Sequence, residues 1–307
     1  MMGAGQISLR DRSATGTGLT RRKQWSFVGV IGIIVKYILL IGLALSFMLP
    51  FIWMFSSALK DDTQVFNVPP IWVPSPAYWE NFWNAWTTLD FNLWLYNTVF
   101  RYAVPVTIGT VLSSAIVAYG FSRIQWRMRD YLFGVCLATM MVPGQVTLVP
   151  LFIVFKTLGW VDSFRPLVIP AYFANAFSVF MLRQFFLTLP LELSDAARID
   201  GANELGILLR IVMPLAKPAL TVIALFSFMG AWNDYFGPLI YLNSQSQWTL
   251  ARGLERLRGS VYEVGYTRMA YPYLMAVSTM ITVPILIAFF LAQRTFIEGI
   301  SLTGIKG

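Results

Sequence analysis

The sequence predicts an all-α integral membrane protein with six transmembrane helices and both termini in the cytoplasm. First, 57% of its residues are hydrophobic and only 12% are charged, whereas soluble domains carry about 25% charged residues. Second, it contains six apolar, nearly charge-free runs, and a helix needs about 20 such residues to cross a bilayer. Third, the Lys and Arg residues concentrate in alternate connections between these runs.

The chain begins with a basic segment, residues 1–30, which we predict to be a disordered cytoplasmic tail. It is rich in Gly, Ser, Thr and Arg, a composition that buries too little apolar surface to fold. No small-residue cleavage site follows at the distance typical of a secretory signal, so we expect the tail to stay on the chain.

Residues 31–307 form the predicted transmembrane domain. Its apolar runs predict spans at about 33–57, 95–122, 131–155, 166–188, 216–240 and 270–293. Prolines lie within or beside these spans at Pro50, Pro105, Pro143, Pro150, Pro170, Pro238 and Pro284. Because a proline leaves one backbone carbonyl without its helical partner, we expect kinked or broken helices that a neighbour must satisfy.

The orientation follows from the cations. Six spans place the N-terminal tail, residues 123–130, residues 183–217 and the C-terminus on one side. With Lys36 included, this side holds 15 of the 23 Lys and Arg residues. Since cytoplasmic loops carry the excess of Lys and Arg, this side is predicted to be cytoplasmic. The opposite connections include residues 60–92, rich in Trp, Phe and Pro, which fit either a membrane interface or a docking surface. They also include residues 243–268, predicted to be a helical hairpin.

The composition also excludes several kinds of site. There is no histidine, so imidazole metal sites and Ser-His-Asp triads are impossible, and the single Cys136 cannot form an internal disulfide or a multi-cysteine metal site. We therefore predict no catalytic residues and no metal site. In so apolar a chain, the net charge of +8 fits the positive-inside rule better than a nucleic-acid partner.

One segment, which we call the polar loop (about 190–217), has the periodicity of helices without the composition of a span. Its charged residues are Glu192, Asp195, Arg198, Asp200, Glu204, Arg210 and Lys217, and Ala, Ile and Leu recur between them at helical spacing. The pattern predicts two short helices with a break at Gly201, bounded by Pro190 before and by Pro214 and Pro218 after.

The polar loop resembles a known motif. Asp195-Ala-Ala, Gly201, Ile211 and Pro214 have the spacing of the EAA motif of ABC importer permeases, and the string at 196–202, Ala-Ala-Arg-Ile-Asp-Gly-Ala, is similar to the carbohydrate-uptake branch, the maltose-type permeases. Residues 232–239 and the C-terminal residues 293–299 and 304–307 are similar to the maltose G-type subunit. Three residues depart from the pattern: Asp195 replaces Glu, Met213 replaces Leu, and Thr295 stands where an aromatic residue is usual.

This resemblance implies a type I ABC importer permease fold in a prokaryotic inner or plasma membrane. It implies a coupling helix that inserts into an ATPase subunit, formed by Asp195, Ala196, Ala197, Arg198, Asp200, Gly201 and Ala202. The implied partners are a second permease of the maltose F type, two ATPase subunits, an extracytoplasmic solute-binding protein and membrane lipid. The sequence contains no Gly-x-x-x-x-Gly-Lys-Ser/Thr phosphate loop. We therefore expect no cofactor on this chain, with ATP and Mg²⁺ used by the partner ATPase.

The predicted function is thus a permease subunit of an ATP-driven importer for a sugar or oligosaccharide. An ion-coupled secondary transporter or channel is the alternative, and it would place ionisable relays in mid-membrane. A membrane-embedded enzyme fits less well, because the candidate acids are scattered. The cargo stays open between sugars, polyols and glycerol phosphate.

Polar residues within the apolar spans are candidates for a substrate pathway. They are Gln145, Asn175, Ser178, Ser227, Asn233 and Asp234, because a polar side chain away from water needs a hydrogen-bond partner. The same residues fit interhelical bonds that hold the bundle together. Whether this chain or its sister subunit holds the substrate also stays open.

Overall fold

The computed structural model describes residues 27–261 and 270–301, and every secondary-structure element within them is helical. We number the helices α1 to α14. They are α1 Phe27–Ala58, α2 Asp62–Val65, α3 Glu80–Thr88, α4 Phe91–Ser122, α5 Arg129–Thr139, α6 Gly144–Thr157, α7 Arg165–Val168, α8 Ala176–Thr188, α9 Glu192–Ile199, α10 Glu204–Leu215, α11 Lys217–Asn233, α12 Phe236–Tyr241, α13 Leu250–Val261 and α14 Ala270–Ser301. The described residues divide into two compact units, one up to Pro50 and one from Phe51 onward.

The described helices agree with an all-helical membrane protein. Four stretches are long and apolar enough to cross a bilayer, namely Ile31–Ala58, Phe91–Ser122, Arg165–Thr188 and Tyr271–Gln293. Two pairs of consecutive helices, α5 with α6 and α10 with α11, are sharply bent at their junctions. If each pair forms one span, the number of candidate spans rises to six. Residues 1–26 of the predicted disordered tail lie outside the described residues. Residues 27–30, the last four of that predicted tail, are helical. The cytoplasmic position of both termini stays a prediction.

The third predicted span, 131–155, differs most from a continuous helix. Helices α5 and α6 meet there at 94°. Pro143 has an extended backbone (φ −61°, ψ 133°) and precedes the first residue of α6. Proline has no amide hydrogen with which to continue the ladder of α5, so the helix ends and restarts. Pro50 and Pro284, in contrast, lie inside continuous helices.

The fourth predicted span, 166–188, is also interrupted. After α7, a 3₁₀ segment Ile169–Phe173 leads to Ala174, whose φ is +64°. Ser113 of α4 contacts the freed backbone. Its hydroxyl accepts from the Ala174 amide (3.1 Å) and shares its hydrogen between the carbonyls of Gly109 (2.6 Å) and Ala171 (3.0 Å). Broken helices in membranes depend on such side chains from a neighbouring helix.

The fifth predicted span, 216–240, is shorter and bent. Helix α11 ends at Asn233, Asp234 has an extended backbone (ψ 114°), and α12 follows. At its other end α11 meets α10 at 84°. In the predicted hairpin at 243–268, the described part contains a 3₁₀ turn at Gln245–Gln247 and then α13. Residues 262–269 lie outside the described residues, as do residues 302–307.

In the second unit, α4 packs against α8 and α11, and α11 packs against α14. One cluster of buried apolar residues lies where α4, α8, α9 and α10 converge. It includes Ala118, Leu182, Phe186, Ala197, Ile207 and Leu208. The polar loop is therefore attached to the ends of the transmembrane helices by a shared core, and does not project as a separate element.

Candidate functional site

The polar loop folds as two helices separated by a tight turn, as predicted. At the end of α9 the Gly201 amide donates to the Arg198 carbonyl (3.1 Å) and the Ala202 amide to the Ala197 carbonyl (2.9 Å). This is the Schellman arrangement, which needs a left-handed residue, and Gly201 has φ +84°. Asn203 then begins α10, accepting from the Gly206 amide at 2.7 Å.

Most of the seven predicted coupling residues face outward. Asp195, Ala196, Asp200, Gly201 and Ala202 are exposed, and Arg198 is half-buried. Ala197 differs because it is buried against the core described above. Ile199, next to the turn, is 87% exposed. Leu205 and Leu209 of α10 are also exposed, at 57% and 50%, so the polar loop presents several apolar side chains among its charged ones.

Arg198 holds the two helices of the polar loop together. Its guanidinium lies 2.7 Å from the Asp195 carboxylate in α9 and 2.8 Å from the Glu204 carboxylate in α10. The hydrogen bond with Glu204 raises the pKa of Arg198, so the side chain stays charged at every physiological pH. Asp195, which departs from the usual Glu, thus reaches a partner within its own helix.

Two residues at the C-terminal end of α4 contact the polar loop, and sequence reasoning missed both. The Tyr119 hydroxyl donates to Glu204 at 2.5 Å. Arg123 donates to the carbonyls of Phe186, Leu189 (2.7 Å) and Pro190 (3.4 Å), where α8 leads into the loop. These contacts join residues far apart in the chain, so no local pattern marks them. The only sequence signal is that Tyr119 and Arg123 are four residues apart, on one helix face.

A cavity of about 420 Å³ between α1 and residues 72–74 is apolar. A second cavity of about 310 Å³, which we call the polar cavity, has partly polar walls. The polar cavity lies between α4, α8 and α11. It is lined by Tyr102, Val106, Thr110, Asn175, Phe177, Ser178, Phe226, Ser227, Gly230 and Ala231. Hydroxyl and amide groups beside aromatic rings give a wall that can both hydrogen-bond and stack.

The structure brings together only some of the predicted pathway residues. Asn175 and Ser178 line the polar cavity, and so does Ser227. The Asn175 side chain also caps α8 by accepting from the Ser178 amide at 3.1 Å. Asn175 thus stabilises the start of α8, and the role of these residues in a substrate pathway stays a prediction.

The other three predicted residues lie elsewhere. Gln145 is exposed at the start of α6, and Asn233 donates within its own helix to the Met229 carbonyl at 2.9 Å. Asp234 is adjacent to the cavity wall, because it accepts from the Tyr102 hydroxyl at 2.5 Å and from the Gly237 amide at 3.0 Å. In the part of the chain that the structure describes, no cluster of three His, Cys, Asp or Glu residues is placed to hold a metal.

Comparisons with known proteins agree with this architecture. Residues 109–301 match the family model described as binding-protein-dependent transport system inner membrane component. The sn-glycerol-3-phosphate transport system permease protein UgpE of Yersinia enterocolitica is 32% identical over 268 residues, covering 85% of this chain and 93% of the relative. The arabinooligosaccharides transport system permease protein AraQ of Halalkalibacterium halodurans is 31% identical, covering 89% and 98%.

A further relative is the probable ABC transporter permease protein YurM of Bacillus subtilis, 29% identical over 93% of this chain and 91% of the relative. Among solved structures, a chain of a bacterial ABC transporter that imports the acidic polysaccharide alginate superposes with a TM-score of 0.77. It is 24% identical, and the match covers 88% of this chain and 98% of that one. The predicted ABC importer permease fold is thereby confirmed.

The family model covers well over half of the chain, and two of these relatives are more than 30% identical over most of their length. The protein therefore belongs to the binding-protein-dependent transport system inner membrane components, the multi-pass membrane permeases of ABC importers.

Proposed function

We propose that this chain is one of two permease subunits of an ATP-driven importer for a sugar or oligosaccharide. It forms half of the translocation pathway, and a second permease of the maltose F type forms the other half. Two copies of a separate ATPase hydrolyse Mg²⁺-bound ATP, and a solute-binding protein outside the membrane delivers the cargo.

The observation that carries this proposal is the exposed turn of the polar loop. Charged side chains surround Gly201, and the apolar Ile199 beside them is 87% exposed. These charges exclude the turn from lipid, and the exposed apolar side chains of the polar loop, Ile199, Leu205 and Leu209, are available to a protein partner. The ATPase is therefore proposed to bind at Asp195–Ala202, and the rest of the polar loop, up to Pro214, to connect this site to α11.

A carbohydrate cargo is supported by two observations. Relatives are named for arabinooligosaccharides and for sn-glycerol 3-phosphate, a phosphorylated polyol. The polar cavity offers Thr110, Asn175, Ser178 and Ser227 for hydroxyl groups and the rings of Tyr102, Phe177 and Phe226 for the apolar faces of a sugar. Neutral hydrogen-bonding groups and aromatic walls suit a polyhydroxylated molecule.

Uptake by the complete complex tests the proposal. Proteoliposomes that contain both permeases, the ATPase and the binding protein should accumulate radiolabelled arabinotriose when ATP is present on the ATPase side. Accumulation should continue when a protonophore and a sodium ionophore abolish ion gradients. Uptake driven by an ion gradient without ATP would instead support the secondary-transporter alternative. Uptake of sn-glycerol 3-phosphate but not of any sugar would contradict the proposed cargo.

A further inference from the structure

Helix α4 differs from its neighbours in how it is attached to the polar loop. Helix α8 leads into the loop at Leu189, and α11 leaves it at Lys217. The main chain therefore passes any displacement of the loop directly to these two helices. Helix α4 ends at Ser122, far away in the sequence, and only side-chain contacts can make it move with the loop.

The last turn of α4 supplies such contacts to both ends of the loop. Arg123 binds the carbonyls of Leu189 and Pro190 at the start of the loop. Tyr119, which is 3% exposed, binds Glu204 behind the exposed turn. Glu204 in turn accepts two bonds from Arg198, from Nε at 2.8 Å and from Nη2 at 3.2 Å. A continuous chain of bonds thus runs from α4 through Glu204 to α9.

Apolar packing between the same elements does not fix their relative position in this way. Ala115 and Ala118 of α4 belong to one buried cluster with Ile207 and Leu208 of α10. Hydrophobic contact is non-directional and permits small sliding movements. A hydrogen bond to a carboxylate is directional and about twice as strong as one between neutral groups. The contact between Tyr119 and Glu204 therefore fixes the last turn of α4 to the first turn of α10.

Helix α4 also forms one wall of the polar cavity. Val106 and Thr110 line the cavity four and eight residues after Tyr102, so the three share one face. Ser227 lies on the opposite wall, in α11. A shift of α4 relative to α11 would change the width of the cavity.

We propose that Tyr119 and Glu204 are positioning residues that make α4 follow the polar loop when the ATPase moves it, so that the α4 wall of the cavity moves with the α11 wall. This inference rests on the proposed function, because it requires an ATPase at the loop.

Labelling of the two walls tests it. In a Cys136→Ala background, which removes the only cysteine, Val106→Cys or Ser227→Cys is introduced into the complete complex. The rate of maleimide labelling is measured without nucleotide and with ATP plus vanadate. Both half-buried positions should show a nucleotide-dependent rate. Tyr119→Phe removes one hydroxyl. It should reduce the nucleotide-dependent change in labelling rate about fivefold or more at residue 106, and should not alter that change at residue 227.

Two further variants complete the design. Glu204→Ala removes the bonds from Arg198 as well as the bond from Tyr119, and should reduce the nucleotide dependence at residue 106 at least as much. Adding Tyr119→Phe to Glu204→Ala should have no further effect, because the partner of the Tyr119 hydroxyl is already absent. Tyr131→Phe, at an exposed tyrosine of α5, is the matched control and should behave as the wild type. All rates are compared in complexes purified with the same subunit ratio.

The outcomes separate this inference from the proposed function. If Tyr119→Phe leaves the nucleotide-dependent labelling unchanged at both residues 106 and 227, or reduces it equally at both, the role assigned to Tyr119 and Glu204 is wrong. The proposal of an ATP-driven permease is not affected by that result. Additive effects of Tyr119→Phe and Glu204→Ala would also contradict it. If neither wall responds to nucleotide in the wild-type complex, the proposed function itself fails.

Discussion

Gly201→Val is expected to abolish most ATP-driven uptake while the complex still assembles. Gly201 has φ +84° at the turn between α9 and α10, and a Cβ added there would meet no other atom within 4 Å. The cost is therefore conformational, about 1–3 kcal/mol for a residue forced into this region. The turn would change shape at the place where the ATPase is proposed to bind. Uptake per ATP hydrolysed, measured in proteoliposomes, should fall about tenfold or more, in line with such a cost.

Two substitutions control for this interpretation. Asparagine tolerates the left-handed region better than other residues with a side chain, so Gly201→Asn should retain most of the coupled uptake. Gly134→Ala in α5 adds a Cβ that likewise meets no other atom within 4 Å, but in an ordinary helix, and should have no effect. Normal coupled uptake by Gly201→Val would contradict the assignment of the turn to ATPase binding.

Arg123→Met is expected to destabilise the protein more than any other single change in the polar loop and its supports. The Arg123 side chain is 5% exposed and binds three carbonyls at the end of α8. Carbonyls at a helix C-terminus have no partner within the helix. Losing charge-assisted bonds to them should cost about 2–4 kcal/mol. The midpoint of thermal unfolding in detergent, followed by tryptophan fluorescence, should fall by several degrees.

The control is Arg127→Met, which removes the same charge from an exposed position in the same connection and should leave the midpoint unchanged. Arg123→Lys should have an intermediate effect, because an ammonium group donates from one atom and cannot span three carbonyls as a guanidinium does. Equal midpoints for Arg123→Met and the wild type would show that these bonds do not stabilise the loop.

Much of the fold could be predicted because hydropathy and helical periodicity are local. Runs of apolar residues located helices at each of the six predicted spans, and Gly201 correctly predicted the break between α9 and α10. The breaks within spans were harder to predict. Pro143 interrupts a helix whereas Pro50 and Pro284 do not. The break at Ala174 depends on Ser113 of another helix, which has no signature in the sequence around either residue.

The candidate site shows the same division between local and long-range structure. The spacing from Asp195 to Pro214 marked the polar loop, and the residues that form its turn are the ones predicted. Tyr119 and Arg123 were missed because their partners lie 85 and more than 60 residues away in the chain. The polar cavity was predicted only in part, since an amide such as Asn175 has the same sequence environment whether it faces a cavity or caps a helix.

An ATPase is proposed to bind the exposed turn of the polar loop. The most direct test replaces Ile199 with the photoreactive residue p-benzoylphenylalanine and irradiates the complex reconstituted with its purified ATPase. The ATPase should be cross-linked through residue 199 and identified by mass spectrometry. The same residue placed at Val73, which is 80% exposed in the connection predicted to lie outside, should give no such product. Cross-linking of the ATPase through residue 73, or its absence at residue 199, would contradict the claim.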